Sequence, residues 1–466
     1  MKIALVFMPA WLPYAPPLGI AALKGYLQDK GHEVTTLDYN IKGWDKFKST
    51  HSEFWSMEEA DYWQNFKLYS EHVKPFISPL IQDFTKEILQ SNYEAIGFSV
   101  YSTNIHITRT VIAILRKMNP SLKIFIGGAQ VNKEDSKFDF ENLNIDAAVI
   151  GEGEESVEEL LNYFQGKQPK KFIPGVILKE KDGNLILGPE RPLLKMKNLP
   201  SPDFSDFDFS KYTGQNIPIE FSRGCIASCT FCSETNFWVS FRTKTAVQIV
   251  DEMELHVRDH GISDFRIVDS LMNGNHRLLE SMVDLIIERG LVVGWNGFCR
   301  IDKKLTPELL RKMKKAGCHT VNYGIESGSQ NVLDLMKKQY TVEEIYRCVK
   351  DTFEAGIHVD SQILIGFPGE SWFNFFETLK TLRDLNKYFH RIYPGIPLQV
   401  TKQTEIWENL DFYGVKFAKN GKWHTKNFLN NYWVRKFRHF LLRSFLKFLG
   451  VTQGYPLTNQ NEIARA

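Results

Sequence analysis

"IPIEFSRGCIASCTFC", residues 217–232, runs from a short apolar strand into a loop that carries three of the chain's six cysteines. These thiols, Cys225, Cys229 and Cys232, are spaced C-x3-C-x2-C. Three thiols so close together do not pair off into disulfides. They are also one ligand short of a closed structural zinc site, which normally has four. Residues 1–200 contain no cysteine, which argues against a disulfide-stapled secreted protein. The fold must therefore place one strand so that its C-terminal loop presents three thiolates together.

Downstream, the same strand-then-helix rhythm repeats. Strands are expected at 264–270, 292–302, 319–329, 357–370 and 391–400, and helices at 245–260, 276–289, 306–316, 341–355 and 371–388. Six such βα units over 211–400, with the cysteine loop after the first strand, predict a partial (β/α)6 barrel. Working residues then belong at the carboxyl ends of its strands.

Upstream, residues 1–165 alternate short apolar runs with helical patterns. Strands are expected at 2–7, 32–40, 93–100, 122–130 and the start of 146–164, with helices at 19–31 and 107–120. Continuous β-branched runs separated by helices predict a Rossmann-like, doubly wound parallel sheet, so the fold class is α/β. Ligands bind such sheets at the carboxyl ends of the strands, where glycine lets backbone come close. Here those ends read "PPLG" (16–19), "FSVYSTN" (98–104), "GGAQ" (127–130) and "GEGE" (151–154). The G-x-G-x-x-G dinucleotide fingerprint is absent, which disfavours a nicotinamide cofactor. An aromatic-rich helical insertion at about 42–90 carries Trp55, Tyr62 and Trp63. These rings either pack against a neighbouring domain or cap a pocket. The Pro-, Ser- and Asp-rich stretch within 166–210 reads as a linker.

Bulk composition excludes several classes. With 466 residues the chain has room for two or three domains, and 43% hydrophobic with 24% charged residues is globular. A net charge of +2 gives no global field for nucleic acid. The opening "MKIALVFMPAWL" resembles a signal peptide, but Pro9, Pro13, Pro16 and Pro17 interrupt it and a helix follows, so it reads as a first strand. No apolar run reaches membrane-spanning length, and the expected location is the cytoplasm.

A [4Fe–4S] cluster answers the cysteine question, because three thiolates from one loop bind three irons and leave the fourth open. An open iron can chelate a small molecule and pass it an electron. The C-x3-C-x2-C spacing with Phe231 before the last cysteine resembles the signature of the radical S-adenosylmethionine (SAM) superfamily. The resemblance implies that SAM sits on the open iron and is cleaved to a 5′-deoxyadenosyl radical. It implies SAM contacts from Glu326 and Ser327 in "GIESGS" (324–329), Gly366 in "ILIGFPGES" (363–371) and Arg300 in "GFCRID" (297–302). On spacing alone Glu326 reads equally as a capping or surface carboxylate. Asp269 is open to two readings, a ligand contact or a structural carboxylate. Cys299, Cys318 and Cys348 read as small buried hydrophobes.

In order and length, the N-terminal motifs resemble the cobalamin (B12)-binding domain that precedes many radical enzymes. That resemblance implies cobalamin contacts from Pro17, Leu18, Gly19, Ser99, Thr103, Gly127, Gly128, Gln130, Gly151 and Glu152. The D-x-H-x-x-G motif, whose histidine ligates cobalt, is missing. Cobalamin is therefore expected base-off, without a protein histidine, with the loop Met8–Tyr14 near its lower face. Together the resemblances cover residues 1 to about 400 and imply a cobalamin-dependent radical SAM enzyme. The expected reaction is C-methylation of an unactivated carbon, with a second SAM restoring the methyl on cobalamin. Radical cyclisation, rearrangement or oxidation without methyl transfer is the alternative, and a cobalamin sensor with a non-catalytic barrel is a third. A methylthiotransferase is disfavoured, since the N-terminal domain lacks cysteines for a second cluster. The implied partners are a small-molecule, lipid or peptide substrate and a flavodoxin- or ferredoxin-like electron donor, with no nucleic acid.

The tail, 401–466, is basic and aromatic: residues 412–461 hold nine Lys or Arg and no Asp or Glu. Helical spacing over 430–450 puts Trp433, Phe437, Phe440, Leu441 and Phe448 on one side. Arg435, Lys436, Arg443 and Lys447 gather roughly opposite. The favoured expectation packs the apolar side over the barrel and leaves the basic side solvated. Peripheral membrane contact is the second reading.

Overall fold

The computed structural model describes residues 1–56, 59–131, 143–167, 172–180, 182–395, 397–419, 421–426 and 430–454. It divides into two units, Met1–Gln215 and Asn216–Ala466.

In the first unit, β1 (Lys2–Phe7), β2 (Glu33–Asp38), β3 (Ala95–Ser99), β4 (Lys123–Gly127) and β5 (Ala147–Val149) form a parallel sheet in the order 2-1-3-4-5. Ile3 to Phe7 are all buried, as both faces of a doubly wound sheet require. Helices α1 (Leu18–Asp29), α2 (Lys74–Gln90), α3 (Ile105–Met118) and α4 (Glu154–Phe164) follow where apolar residues recur at helical spacing. The strand order reverses between β1 and β3, so the expected ligand crevice lies beside their carboxyl ends.

The stretch expected as a linker, 166–210, is instead part of this unit. It adds β6 (Val176–Lys179) and β7 (Leu185–Leu187) antiparallel to the sheet edge. Its polar residues are used internally. Asp206 accepts from Thr36 N–H at 2.7 Å and pairs with buried Lys24 at 2.8 Å. Farther along, Tyr212 donates to Asp38 at 2.7 Å. The Asp and Ser that suggest a solvated tether therefore fasten the segment down.

Within the insertion, Trp55 and Trp63 are buried in the unit's own core, their indoles donating to Asn40 Oδ1 and Phe54 O. Tyr62 packs edge-on against Phe54 and His72. These rings stabilise the insertion itself rather than a neighbouring domain.

In the second unit, β8 (Ile217–Ile219), β9 (Asp264–Ile267), β10 (Gly294–Cys299), β11 (Cys318–Glu326), β12 (His358–Ile363) and β13 (Arg391–Tyr393) pair in parallel, each beside its sequence neighbour. A seventh, unexpected strand, β14 (Thr452–Gln453), pairs with β13. The intervening helices are α5 (Ala246–His260), α6 (His276–Glu288), α7 (Pro307–Lys315), α8 (Val342–Glu354) and α9 (Trp372–Leu385). Their starts are locally encoded. Thr245 with Gln248, and Thr341 with Glu344, form reciprocal capping boxes, and Pro307 follows the Thr306 N-cap. Cys299, Cys318 and Cys348 are buried thiols, as expected.

The tail helix α10 (Tyr432–Phe448) reverses its expected orientation. Arg435 and Arg438 are buried, while Trp433, Phe437, Phe440 and Phe448 face solvent at 53–85% exposure. The cause is Glu370, a carboxylate 1% exposed at the end of the "GFPGE" segment, which pairs with fully buried Arg438 at 2.9 Å. Arg435 stacks 3.6 Å over Trp423, and Arg438 lies 4.7 Å over Trp372. A buried carboxylate without a cation is far costlier than exposed phenyl rings.

Candidate active site

The cysteine loop is built from below. Asp269, buried beyond the end of β9, accepts hydrogen bonds from Phe221 N–H and the Ser222 hydroxyl. Burial pushes its carboxyl up to about 8. Both oxygens are thus turned into the backbone leading to the loop, which favours the structural reading of Asp269. Gly224 follows at φ +89°, with Ser240 O only 2.6 Å from where a Cβ would lie, so glycine is required just before Cys225. Midway through the loop, Thr230 N–H donates to Met336 O at 3.2 Å and Thr230 O accepts from Ile406 N–H at 3.1 Å.

Cys225, Cys229 and Cys232 are all partly exposed free thiols, close enough to influence one another electrostatically. Burial pushes the Cys232 thiol up to about 12 and raises Cys225, while Arg300 and Lys338 pull Cys225 back down. Among the described residues no three His, Cys, Asp or Glu converge on a point that would hold a single metal ion. Three neighbouring thiols from one loop suit three irons of a polynuclear cluster and are one ligand short of a closed zinc site.

Around them the barrel mouth supplies charge. Lys338 is buried, pairs with Glu326 at 3.4 Å, and lies 5.8 Å over Phe231 and 5.7 Å over Tyr340. Burial works against its charge, but Tyr340, Glu326 and Cys229 outweigh that and raise its pKa. Arg300 stacks 5.5 Å from the Tyr340 ring, its backbone held by Asn273. Glu326, Lys337 and Gln339 all adopt positive φ, of 62°, 56° and 56°. Left-handed non-glycine residues cost of order 1–3 kcal/mol each and gather at functional sites. Arg300, Phe231 and Glu326 are thereby brought together with the cysteines. Lys338 and Tyr340 were not legible beforehand, since "KKQY" (337–340) has the pattern of any surface turn.

Two further expected SAM contacts, Ser327 and Gly366, have close neighbours within the chain. Ser327 is buried, its hydroxyl 3.0 Å from that of Thr378 and accepting from Ser329 N–H, so it serves the loop's own network. Gly366, at φ +85°, is covered by Arg435, whose Cδ lies 2.2 Å from where a Cβ would be.

The candidate cobalamin residues lie at the carboxyl edge of the first sheet. Gly19 and Gly151 face open space, where an added Cβ meets nothing within 4 Å. Gly128, at φ +105°, comes within 2.8 Å of Val100 backbone at its Cβ position and admits no side chain. Gly127 and Ser99 are paired neighbours in the sheet, and Gln130 N–H donates to Val100 O. Pro17 and Leu18, at the start of α1, are partly exposed. Thr103 is buried, and among the described residues its hydroxyl has no partner. The Glu152 carboxylate accepts from Leu194 N–H at 3.0 Å. Asn104, which sequence reasoning missed, ties the strand ends together by donating to Met8 O and Ser99 O. Within the loop Met8–Tyr14, Met8, Leu12 and Tyr14 are buried, leaving partly exposed Trp11 against Tyr101 at 4.9 Å. Open glycines and an unsatisfied hydroxyl at the sheet's switch point fit a large planar ligand.

Comparison with known proteins agrees with both halves. Residues 219–382 match the radical SAM superfamily and residues 66–161 the B12-binding domain. The chain thus carries both a radical SAM domain and a B12-binding domain. An uncharacterized methyltransferase of Pyrococcus horikoshii is 26% identical over 81% of this chain and 83% of its own length. The anaerobic magnesium-protoporphyrin IX monomethyl ester cyclase of Rubrivivax gelatinosus is 26% identical over 67% of this chain, which spans 59% of that protein. In structure, the radical SAM methyltransferase TsrM of Kitasatospora setae superposes with a TM-score of 0.68 at 19% identity, over 90% of this chain and 80% of that one.

Replacing Lys338 with methionine keeps the side chain's length and removes its cation. Glu326 then stands buried beside the cysteines without a counter-charge, and SAM affinity should fall about tenfold, some 1.4 kcal/mol. Equilibrium binding of SAM to the reconstituted enzyme checks this, with cluster content unchanged.

Proposed function

We propose that this chain is a cobalamin-dependent radical SAM C-methyltransferase. The observation that carries the reading is the pairing, in one chain, of a three-thiol loop beside the buried Lys338 cation with a glycine-lined sheet edge of B12-binding type. When bound, the cluster supplies the electron that cleaves SAM, and cobalamin supplies the methyl group for the carbon from which hydrogen has been removed. Cys225, Cys229 and Cys232 would hold the cluster. Arg300, Lys338 and Glu326 would orient the charged end of SAM, with Phe231 and Tyr340 excluding water around it. Gly19, Gly128 and Gly151, with Pro17, Leu18, Ser99, Gly127 and Gln130, would let backbone approach the corrin ring. With no histidine in Met8–Tyr14, cobalamin would be held base-off without a protein nitrogen ligand. The substrate is a small molecule, lipid or peptide bearing an unactivated C–H bond, the reductant is flavodoxin- or ferredoxin-like, and the setting is the cytoplasm.

The test is product mass. Anaerobic enzyme loaded with both cofactors and given methyl-deuterated SAM with a metabolite extract should form 5′-deoxyadenosine and S-adenosylhomocysteine together and place label in one product. The cyclase relative favours a second reading, radical cyclisation or oxidation without methyl transfer. Substrate-dependent 5′-deoxyadenosine without S-adenosylhomocysteine or label would establish that reading instead.

A further inference from the structure

We propose that the solvent-facing side of α10, widened by α9, is a docking surface for an anionic lipid bilayer. On α10, Trp433, Phe437, Phe440 and Phe448 form one solvent-facing stripe along roughly 25 Å of helix. Phe373 and Phe376 of α9 are also exposed, and Trp372 joins the two helices through Phe437 at 6.1 Å. Six large exposed aromatics on two adjacent helices are far more than the scattered apolar residues of an ordinary surface.

The stripe is interleaved with cations. Lys436, Arg443 and Lys447 are exposed beside the rings, and the helix contains no Asp or Glu. Among the described residues none of the three takes part in an ion pair, so their charge is available to an anionic surface. Nor can the helix roll to hide its rings, because Arg438 is held by Glu370 at 2.9 Å and Arg435 by Trp423 O at 2.9 Å. Aromatic rings that enter the headgroup boundary, with lysine and arginine beside them, are the composition of an interfacial helix. No described helix is long and apolar enough to cross a membrane, so the contact is peripheral. This surface stands on its own residues, whatever the reaction at the barrel mouth.

Co-sedimentation with vesicles tests it, using the full chain with its cofactors. The enzyme should pellet with vesicles of phosphatidylglycerol and phosphatidylcholine and remain soluble with phosphatidylcholine alone. Lys436→Glu/Lys447→Glu and, separately, Phe437→Ser/Phe440→Ser/Phe448→Ser should each weaken vesicle binding by at least about tenfold. Both variants change exposed side chains and should keep wild-type thermal stability and SAM cleavage. Failure to bind anionic vesicles would overturn the proposal, as would equal binding by either variant. Self-association lost in the phenylalanine variant, without vesicle binding, would assign the surface to a second copy and overturn it equally.

Discussion

Cys229→Ala will leave a folded protein that holds no intact [4Fe–4S] cluster and cleaves no SAM. Cys229 stands in the middle of the triad, and both Lys338 and Tyr340 feel its charge. Its removal takes away one of the thiolates on which the cluster depends. The control is Cys348→Ala. That thiol lies on the buried face of α8, donates to Asp302 O at 3.3 Å, and is far in sequence from the three-cysteine loop. Iron and sulfide content, the visible absorption of the cluster and 5′-deoxyadenosine formation read both variants. The account expects background values for Cys229→Ala and near-normal values for Cys348→Ala.

The second large effect lies away from the chemistry. Arg438→Met preserves bulk but strands the Glu370 carboxylate in the interior, where only Gly366 N–H then remains to donate to it, at 2.9 Å. Breaking a buried pair by removing one partner costs about 3–5 kcal/mol. For a unit of this size that lowers the apparent melting temperature by roughly 10 °C or more. Burial already raises Glu370 to about 7. Arg438 holds that value down, so its loss raises the carboxyl further. A carboxyl raised in the fold loses stability as pH rises through its folded pKa, so the variant's deficit should be largest at alkaline pH and narrow as pH falls towards about 7, where Glu370 has taken up a proton. Arg438→Met/Glu370→Gln should recover much of the loss. Differential scanning fluorimetry across pH checks all three. A tail helix lying loosely on the surface would show no such dependence on Arg438.

The strands of both sheets were legible because each is a run of apolar residues bounded by glycine or a helix cap, such as "KIALVF" before the loop at Met8. The cysteine loop was legible because its spacing is itself the chemistry. The β6–β7 hairpin was hidden by composition. Its turn signal, Asp182–Gly183 with Gly183 at φ +91°, was present, but "LIL" is short and half exposed. The orientation of α10 was not legible at all. Helical spacing sorted its residues into faces, but the choice of inner face belonged to Glu370, 68 residues away from Arg438 in sequence. Lys338 was hidden for the same reason, since its partner Glu326 gives it meaning only once β11 is folded.

On this proposal the three-cysteine loop holds a cluster with an iron open to SAM, and the first unit binds cobalamin without a histidine. Electron paramagnetic resonance of the anaerobically reconstituted, reduced enzyme tests it most directly. The account predicts a [4Fe–4S] signal that changes on adding SAM, together with a cobalt signal from bound cobalamin lacking nitrogen splitting. A cluster signal indifferent to SAM, or a cobalt signal split by nitrogen, would contradict it.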